Sequence, residues 1–520
     1  MRYVMTEKLS PLLVRPAARE STAVLDGFRA AAFAWIFQVH SVAILFLFAP
    51  VTQLQDYFSS EPWYPEVVLR GHHAVDVFNV LSAYLMADTL FRVYRKTGTI
   101  DAASYVRSRV LRILPFYYFF LSLCVAIHLF IERIPHADNA WTNYLFLNNY
   151  VPFQDNFLNH TWTQALEIQF GVIFPFLLAS WLKPGARVPS ADGETVHDKR
   201  NGVANTSREQ TSWGLFRWLL WLLLASLVCR AIGVLIIHFL TADGLQLPVH
   251  IHTVDWITSK LDRSTIQFYR FLYLPLFTRF AAFVCGVLVA WARHHPLQSE
   301  TTTAATADRP HTAGVAHMLP SSNLRVVLCV AIMLLCMMPR LTSHSLDPYY
   351  AVLPTAIWLV VFRLCFAVPF ACILYWCLEY ADTASRIGTA TASLSSHGDS
   401  TAAPVLITVI LRIFSHPWWF PLSTVSYVAY MLHVLVIGGV HGALAPFWTS
   451  LQLPLTTPVV VLVSLLEFAI TLAVSVPLYL YVEKPLQDWR SRVAQSERSK
   501  VAVAPTPVPP AAAKRKQRSD

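Results

Sequence analysis

Charge is scarce in this chain. Only 14% of its 520 residues are Asp, Glu, Lys or Arg, against about 25% in an ordinary soluble domain. Hydrophobic residues make up 55%, and the mean hydropathy is +0.46. A soluble domain of this length is therefore excluded. Ten-residue segments of alternating hydrophobicity are missing, which argues against a membrane β-barrel. The eight cysteines (Cys124, Cys229, Cys285, Cys329, Cys336, Cys365, Cys372 and Cys377) form no CxxC pair and lie almost entirely in apolar runs. They read as small hydrophobes rather than a disulfide framework or a zinc site. No metal is expected, since the histidines, His294 and His295 among them, lack ligand spacing. No strip of interleaved basic and aromatic residues suggests nucleic acid. Residues 1–24 lack the apolar core of a cleavable signal. No internal repeat of the kind found in many transporters is visible.

What the chain does have is a series of apolar runs near the length that crosses a bilayer. They fall at 29–50, 74–91, 110–131, 161–182, 214–239, 272–292, 324–340, 351–379, 421–445 and 456–482. The expected fold is all-α: a polytopic membrane helix bundle of about ten transmembrane helices. Residues 141–153 are too short to span and read as interfacial or re-entrant. So do residues 403–414, unless they form an eleventh span. Aromatics such as Trp63, Tyr64, Trp162, Trp291, Trp418, Trp419 and Trp489 flank the runs, as interfacial belts do.

Lys and Arg placement sets the expected orientation. Arg92, Arg95, Lys96, Arg107 and Arg109 lie between the second and third runs, a link expected to be cytosolic. An even span count then puts the N-terminal segment (1–24), the loop 183–213 and the tail 491–520 on the same side. The polar stretches 183–213, 293–323 and 380–402 read as flexible cytosolic insertions within a membrane domain over 25–490, and the Pro/Ala-rich tail as a disordered extension.

Within the first run, Arg29 and His40 are eleven residues apart. That is close to three helical turns, so both side chains share a face about 16 Å apart along the axis. A charge at that depth needs a partner or a function. The pair suggests a polar line running into the bilayer, as transfer of a group from a soluble donor would require.

Further motifs follow in order: GHHAVDVFNVLSAYL from Gly71, with Asp76 near the start of the second run; RSRVLRILP from Arg107, with Arg109 and Arg112 one turn apart; WTQALEIQF from Trp162, with Glu167 inside the run; SYVAYMLH from Ser426; and YVEKP from Tyr481. Ser426, Tyr430 and His433 fall on one helical face. This order resembles the integral-membrane acyltransferase-3 family, whose pattern carries R-x10-H, a G-x-x-x-V-D motif, R-x-x-R, W-S-L-x-x-E-x-Q, S-Y-x-x-Y-x-x-H and E-[KR]-P. The resemblance covers roughly 25–490. Asn79 stands for an aromatic, Ala83 for a glycine, and Thr163-Gln164 for Ser-Leu.

The resemblance implies an acyl-CoA-dependent O-acyltransferase, with acetyl the usual donor group and a hydroxyl of a carbohydrate or lipid-linked molecule as acceptor. CoA phosphates call for guanidinium groups, and Arg109 and Arg112 are placed for them, with Arg29 and Arg107 behind. Arg109 and Arg112 could equally anchor the third span. His40 is the candidate base, since a neutral imidazole can take a hydroxyl proton. Glu167, expected to enter from the outer side, could orient His40, assist proton transfer or bind acceptor hydroxyls. Asp76 could cap its helix or serve the reaction. Ser426, Tyr430 and His433 line either a cavity or a helix contact. Arg279, inside the sixth run and matching an arginine of the family pattern, needs a counter-charge or a ligand phosphate. Transfer could be direct or pass through an acyl-histidine. The expected partners are acyl-CoA, the acceptor and membrane lipids. A transporter or lipid flippase using the same charges is the alternative, against which the missing repeats count.

Overall fold

A computed structural model describes residues 10, 12–16, 20, 22–61, 63–131, 136–182, 201–240, 263–295, 323–337, 348–390, 404–450 and 454–503. Inside a bilayer every backbone N–H and C=O must be satisfied within the protein, which leaves the helix as the natural form for these apolar runs. The helices are α1 (Ala23–Phe48), α2 (Val51–Ser60), α3 (Trp63–Leu69), α4 (Ala74–Thr97), α5 (Ala102–Ile131), α6 (Ala140–Tyr144), α7 (Trp162–Trp181) and α8 (Asn201–Leu240). They continue with α9 (Arg263–Phe268), α10 (Leu276–His294), α11 (Asn323–Met337), α12 (Pro348–Ala390), α13 (Val405–Phe414), α14 (Trp419–Ser450), α15 (Thr457–Leu478) and α16 (Lys484–Val503). Among the described residues, nine helices are long and apolar enough to cross a membrane.

Side-chain pairs fix the relative directions. Asp76 meets Arg279 near the starts of α4 and α10, and further along both helices Asp88 meets His294 at 2.9 Å, so the two helices are parallel. Arg279 and Arg293 of α10 meet the neighbourhood of Arg363 and then Glu379 of α12, again in parallel. Two consecutive long helices can run parallel only if the chain returns between them. The 15-residue α11 lies on that return, and it is shorter than the nine helices long enough to cross, against the ten runs expected. α1 and α14 are also parallel, through Asp26–Ser423 and His40–His433. α13 does not cross: Leu406 N–H donates to Asn323 at the start of α11, and Phe414 packs against Gly27 at the start of α1. α1, α11 and α14 thus all start from one face, and α4, α10 and α12 end there. This face carries Arg92, Arg95 and Lys96, and is called the basic face below.

Two close approaches lock the bundle. A Cβ on Gly286 of α10 would lie 2.2 Å from the Val80 carbonyl oxygen of α4, so only glycine lets these backbones meet. Gly27 is equally constrained by the Phe414 carbonyl, at 2.0 Å. α4 stops at Gly98, whose φ of 72° is the left-handed geometry of a helix C-cap and whose N–H bonds the Tyr94 carbonyl.

The segment 137–161 folds back against the middle of α5. Tyr117 and Tyr118, midway along α5, donate to the Asn143 and Tyr144 carbonyls at 3.1 and 2.9 Å. Irregular backbone at that depth requires internal partners. Asparagines supply them: Asn143 and Asn148 donate to Thr161 Oγ1, Asn156 to the Asn148 carbonyl and Asn159 to the Phe153 carbonyl. α7 consequently begins level with the middle of α5.

Two expected loops are shorter than the sequence implied. Residues 201–213 belong to α8, and 380–390 continue α12. The first insertion is otherwise outside the described residues, as are 296–322 and 391–402, residues 1–9 and the tail beyond 503. All eight cysteines are unpaired.

Candidate active site

α1 and α14 carry the centre of the site. His40 Nδ1 lies 2.7 Å from His433 Nε2. His433 Nδ1 lies 2.5 Å from the Tyr430 carbonyl. A carbonyl oxygen only accepts, so His433 Nδ1 carries the hydrogen and, with the ring neutral, Nε2 is the acceptor. His40 Nδ1 must then donate to it. That assignment leaves the lone pair of His40 on Nε2, the ring atom turned away from His433. The Tyr430 carbonyl and His433 together fix the tautomer and orientation of His40, as a carboxylate does in a hydrolytic triad. His433 is fully buried and His40 only partly so.

A third histidine closes the group. His160, at the end of the folded-back segment 137–161, has its ring centroid 5.4 Å from that of His433 and bonds the Met431 carbonyl through Nε2. Tyr430 Oη donates to the His160 carbonyl at 2.7 Å and meets Thr163 Oγ1 at 2.6 Å. Of the expected stripe on α14, Tyr430 and His433 join this group. Ser426 does not: its hydroxyl donates to the Ser423 carbonyl of its own helix. Arg29 is half-buried, three turns before His40 on α1.

Glu167 is not beside His40. Its carboxylate accepts from Arg109 Nη2 and Ser82 Oγ, both at 2.8 Å. Arg109 also donates to Ser82, closing a triangle. Gly171, one turn after Glu167, makes room: a Cβ there would be 2.6 Å from Arg109 Nε. The physical cause is the deep start of α7, which carries Glu167 past the level of Tyr117 toward the basic face. Arg112, one turn after Arg109, is exposed and lines a shallow pocket with Pro115, Phe116, Glu483 and Gln487. The R-x-x-R and E-K-P motifs thus meet at one pocket.

Asp76 and Arg279 lie toward the opposite face. Asp76 makes no side-chain cap to its helix; it pairs with Arg279 at 3.1 Å and Arg363 at 2.7 Å, all three buried.

Sequence reasoning did not single out Glu467 or His441. Glu467, on α15, accepts from Ser41 Oγ at 2.6 Å and lies 2.9 Å from His441 Nε2. Ser464 and Gln38 extend the network to Tyr64. A carboxylate inside an apolar run was the available signal.

Comparison with known proteins gives a consistent answer. A family model described as an acyltransferase domain, acyltransferase-3, matches residues 23–479. A protein of Staphylococcus aureus strain COL, described as a candidate O-acetyltransferase, is 30% identical over 125 residues, covering 22% of this chain and 21% of that protein. The O-acetyltransferase OatA of Staphylococcus aureus strain NCTC 8325 is 26% identical over 125 residues, covering 21% of this chain and 20% of its own length. The aligned segment thus covers only about a fifth of these relatives. No solved structure matches significantly. On the family match over nearly all of its length, this multi-pass membrane protein belongs to the acyltransferase-3 family.

Proposed function

We propose that the protein moves an acyl group, acetyl in the family's usual case, from cytosolic acyl-CoA to a hydroxyl of a carbohydrate or lipid-linked acceptor, with His40 as the base. The observation that carries this reading is the ordered line Tyr430 carbonyl, His433, His40, which leaves a lone pair on His40 Nε2. Family membership and the names of the relatives support the reaction class.

In the direct route, His40 Nε2 takes the acceptor hydroxyl proton as the hydroxyl oxygen attacks the thioester carbonyl. The C–S bond breaks, and the CoA thiolate takes the proton back from the imidazolium. Protons balance with no further reactant. His433 stabilises the imidazolium by accepting from Nδ1 throughout. A route through acyl-His40 would use the same lone pair. Arg112, exposed at the basic face, is the group best placed for CoA phosphates; Arg109 is already engaged by Glu167.

The test is transfer of labelled acetyl from acetyl-CoA by purified protein in detergent, with a panel of saccharide and polyprenyl-linked acceptors. Saturable acetyl-CoA binding, weakened in Arg112→Ala, supports the donor assignment. Well-folded protein that binds no acyl-CoA but moves a lipid across vesicle membranes would replace it with a flippase.

A further inference from the structure

Three guanidinium groups and one carboxylate are buried together toward the face opposite the basic one. Arg279 (α10) and Arg363 (α12) each donate one Nη1 bond to Asp76 (α4). Arg230 (α8) donates only to main-chain carbonyls, those of Thr278, Leu359 and Val360. Every one of these side chains is at least nine-tenths buried. Aromatic rings separate the cations in an alternating stack. Arg279 lies over Trp162 and Tyr273, Arg363 over Tyr273 and Phe362, and Arg230 over Phe362, with guanidinium-to-centroid distances of 4.4 to 5.1 Å.

The charges do not balance. Three positive groups against Asp76 leave an excess of two among the described residues. Ring faces and carbonyls ease that excess without neutralising it. Nor are the donors all used: Nη2 of Arg279 and Nη2 of Arg363 are both buried without a hydrogen-bond partner. Arg279 spends Nε on the Tyr273 carbonyl, so one Nη2 group on each of the two arginines, beside their shared carboxylate, is left to bind an oxyanion oxygen. Asp76 and Arg279 also sit in the first turns of α4 and α10, whose N-terminal dipole ends favour negative charge.

We infer that the Arg230–Arg279–Arg363 cluster is an anion-binding site for a phosphate group, of the dianionic phosphomonoester class. Such a group carries close to the missing charge at neutral pH. The cluster lies away from the basic face, so it is separate from the proposed CoA site. It does not rest on the acyltransfer reading. It does adjoin the histidines: Trp162, stacked on Arg279, is two residues from His160, which faces His433. The phosphate can come from a lipid headgroup or from solution.

The experiment is thermal unfolding of the full chain, with no acyl-CoA present. One arm titrates inorganic phosphate against potassium chloride at matched ionic strength in detergent. The other compares nanodiscs of phosphatidylcholine with nanodiscs containing phosphatidic acid. The site predicts a saturable rise in Tm in at least one arm. A rise with inorganic phosphate identifies a soluble source, and a rise confined to phosphatidic acid identifies a headgroup. Arg363→Met should weaken the response at least tenfold, with Arg230→Met as the second variant should the first not fold. Asp76→Asn removes the competing carboxylate and should tighten binding several-fold, an effect opposite to that expected of a purely structural ion cluster. No response in either arm from both wild type and Asp76→Asn, or a destabilised Asp76→Asn that neither probe restores, overturns the proposal.

Discussion

His40 and His433 meet ring to ring, Nδ1 to Nε2, at 2.7 Å across the contact between α1 and α14. Because His433 donates its own Nδ1 hydrogen to the Tyr430 carbonyl, the pair has a direction, and it ends at His40 Nε2.

His433→Ala should therefore lower kcat while leaving the KM for acetyl-CoA nearly unchanged. Loss of an orienting partner should cost on the order of 10- to 100-fold, less than loss of the base itself. In a double variant with His40→Ala, the two losses should not multiply, because the residues act as one unit. Steady-state kinetics of the four proteins checks this.

Glu167 should act through Arg109 rather than through His40. A double-mutant cycle on kcat/KM should give a coupling of about 0.5–3 kcal/mol between Glu167→Ala and Arg109→Ala, as for neighbours in one network. Between Glu167→Ala and His40→Ala the cycle should close near zero. Strong coupling to His40 and none to Arg109 would contradict the triangle with Ser82.

Gly286 should tolerate no side chain. A Cβ there would meet backbone, the Val80 carbonyl and the Tyr84 N–H, and backbone cannot swing aside. Overpacking in a close-packed interior costs about 1–3 kcal/mol, occasionally more; here Gly286→Val should reach or exceed the top of that range. Monodispersity and thermal stability in detergent are the readouts. Gly438, with nothing within 4 Å of its would-be Cβ, is the matched control.

Glu467 holds both histidine-bearing helices, accepting from Ser41 of α1 and facing His441 of α14. Removing one partner of a buried pair costs about 3–5 kcal/mol, so Glu467→Ala should lower Tm sharply. Glu467→Gln should cost less, since an amide oxygen still accepts from Ser41. Equal Tm values for wild type and Glu467→Ala would show that the network contributes nothing to the bundle.

Nine of the ten runs were legible as long apolar helices because run length is a property of sequence alone. The run at 324–340 is the exception: it forms the 15-residue α11, shorter than the nine helices long enough to cross, on the return that the parallel packing of α10 and α12 demands. The partners were less legible. Sequence gives the position of Glu167 along its helix but not the depth at which that helix begins. The Asn-rich segment 137–161, folded against the middle of α5, sets that depth and delivers Glu167 to Arg109. The helical spacing of Tyr430 and His433 did foretell a shared face, while Ser426 on the same stripe is used up by its own helix. Arg230, Arg363, His441 and Glu467 were visible as ionisable residues inside apolar runs, but their partners lie on helices far apart in the chain.

The most direct test of the account is acetyl transfer by His40→Ala, assayed on protein shown by its elution profile and Tm to be folded. A positioned base contributes about 10²–10⁴-fold. The account predicts a loss of that size with acetyl-CoA binding retained. A His40→Ala protein that binds acetyl-CoA and transfers acetyl at the wild-type rate would contradict it.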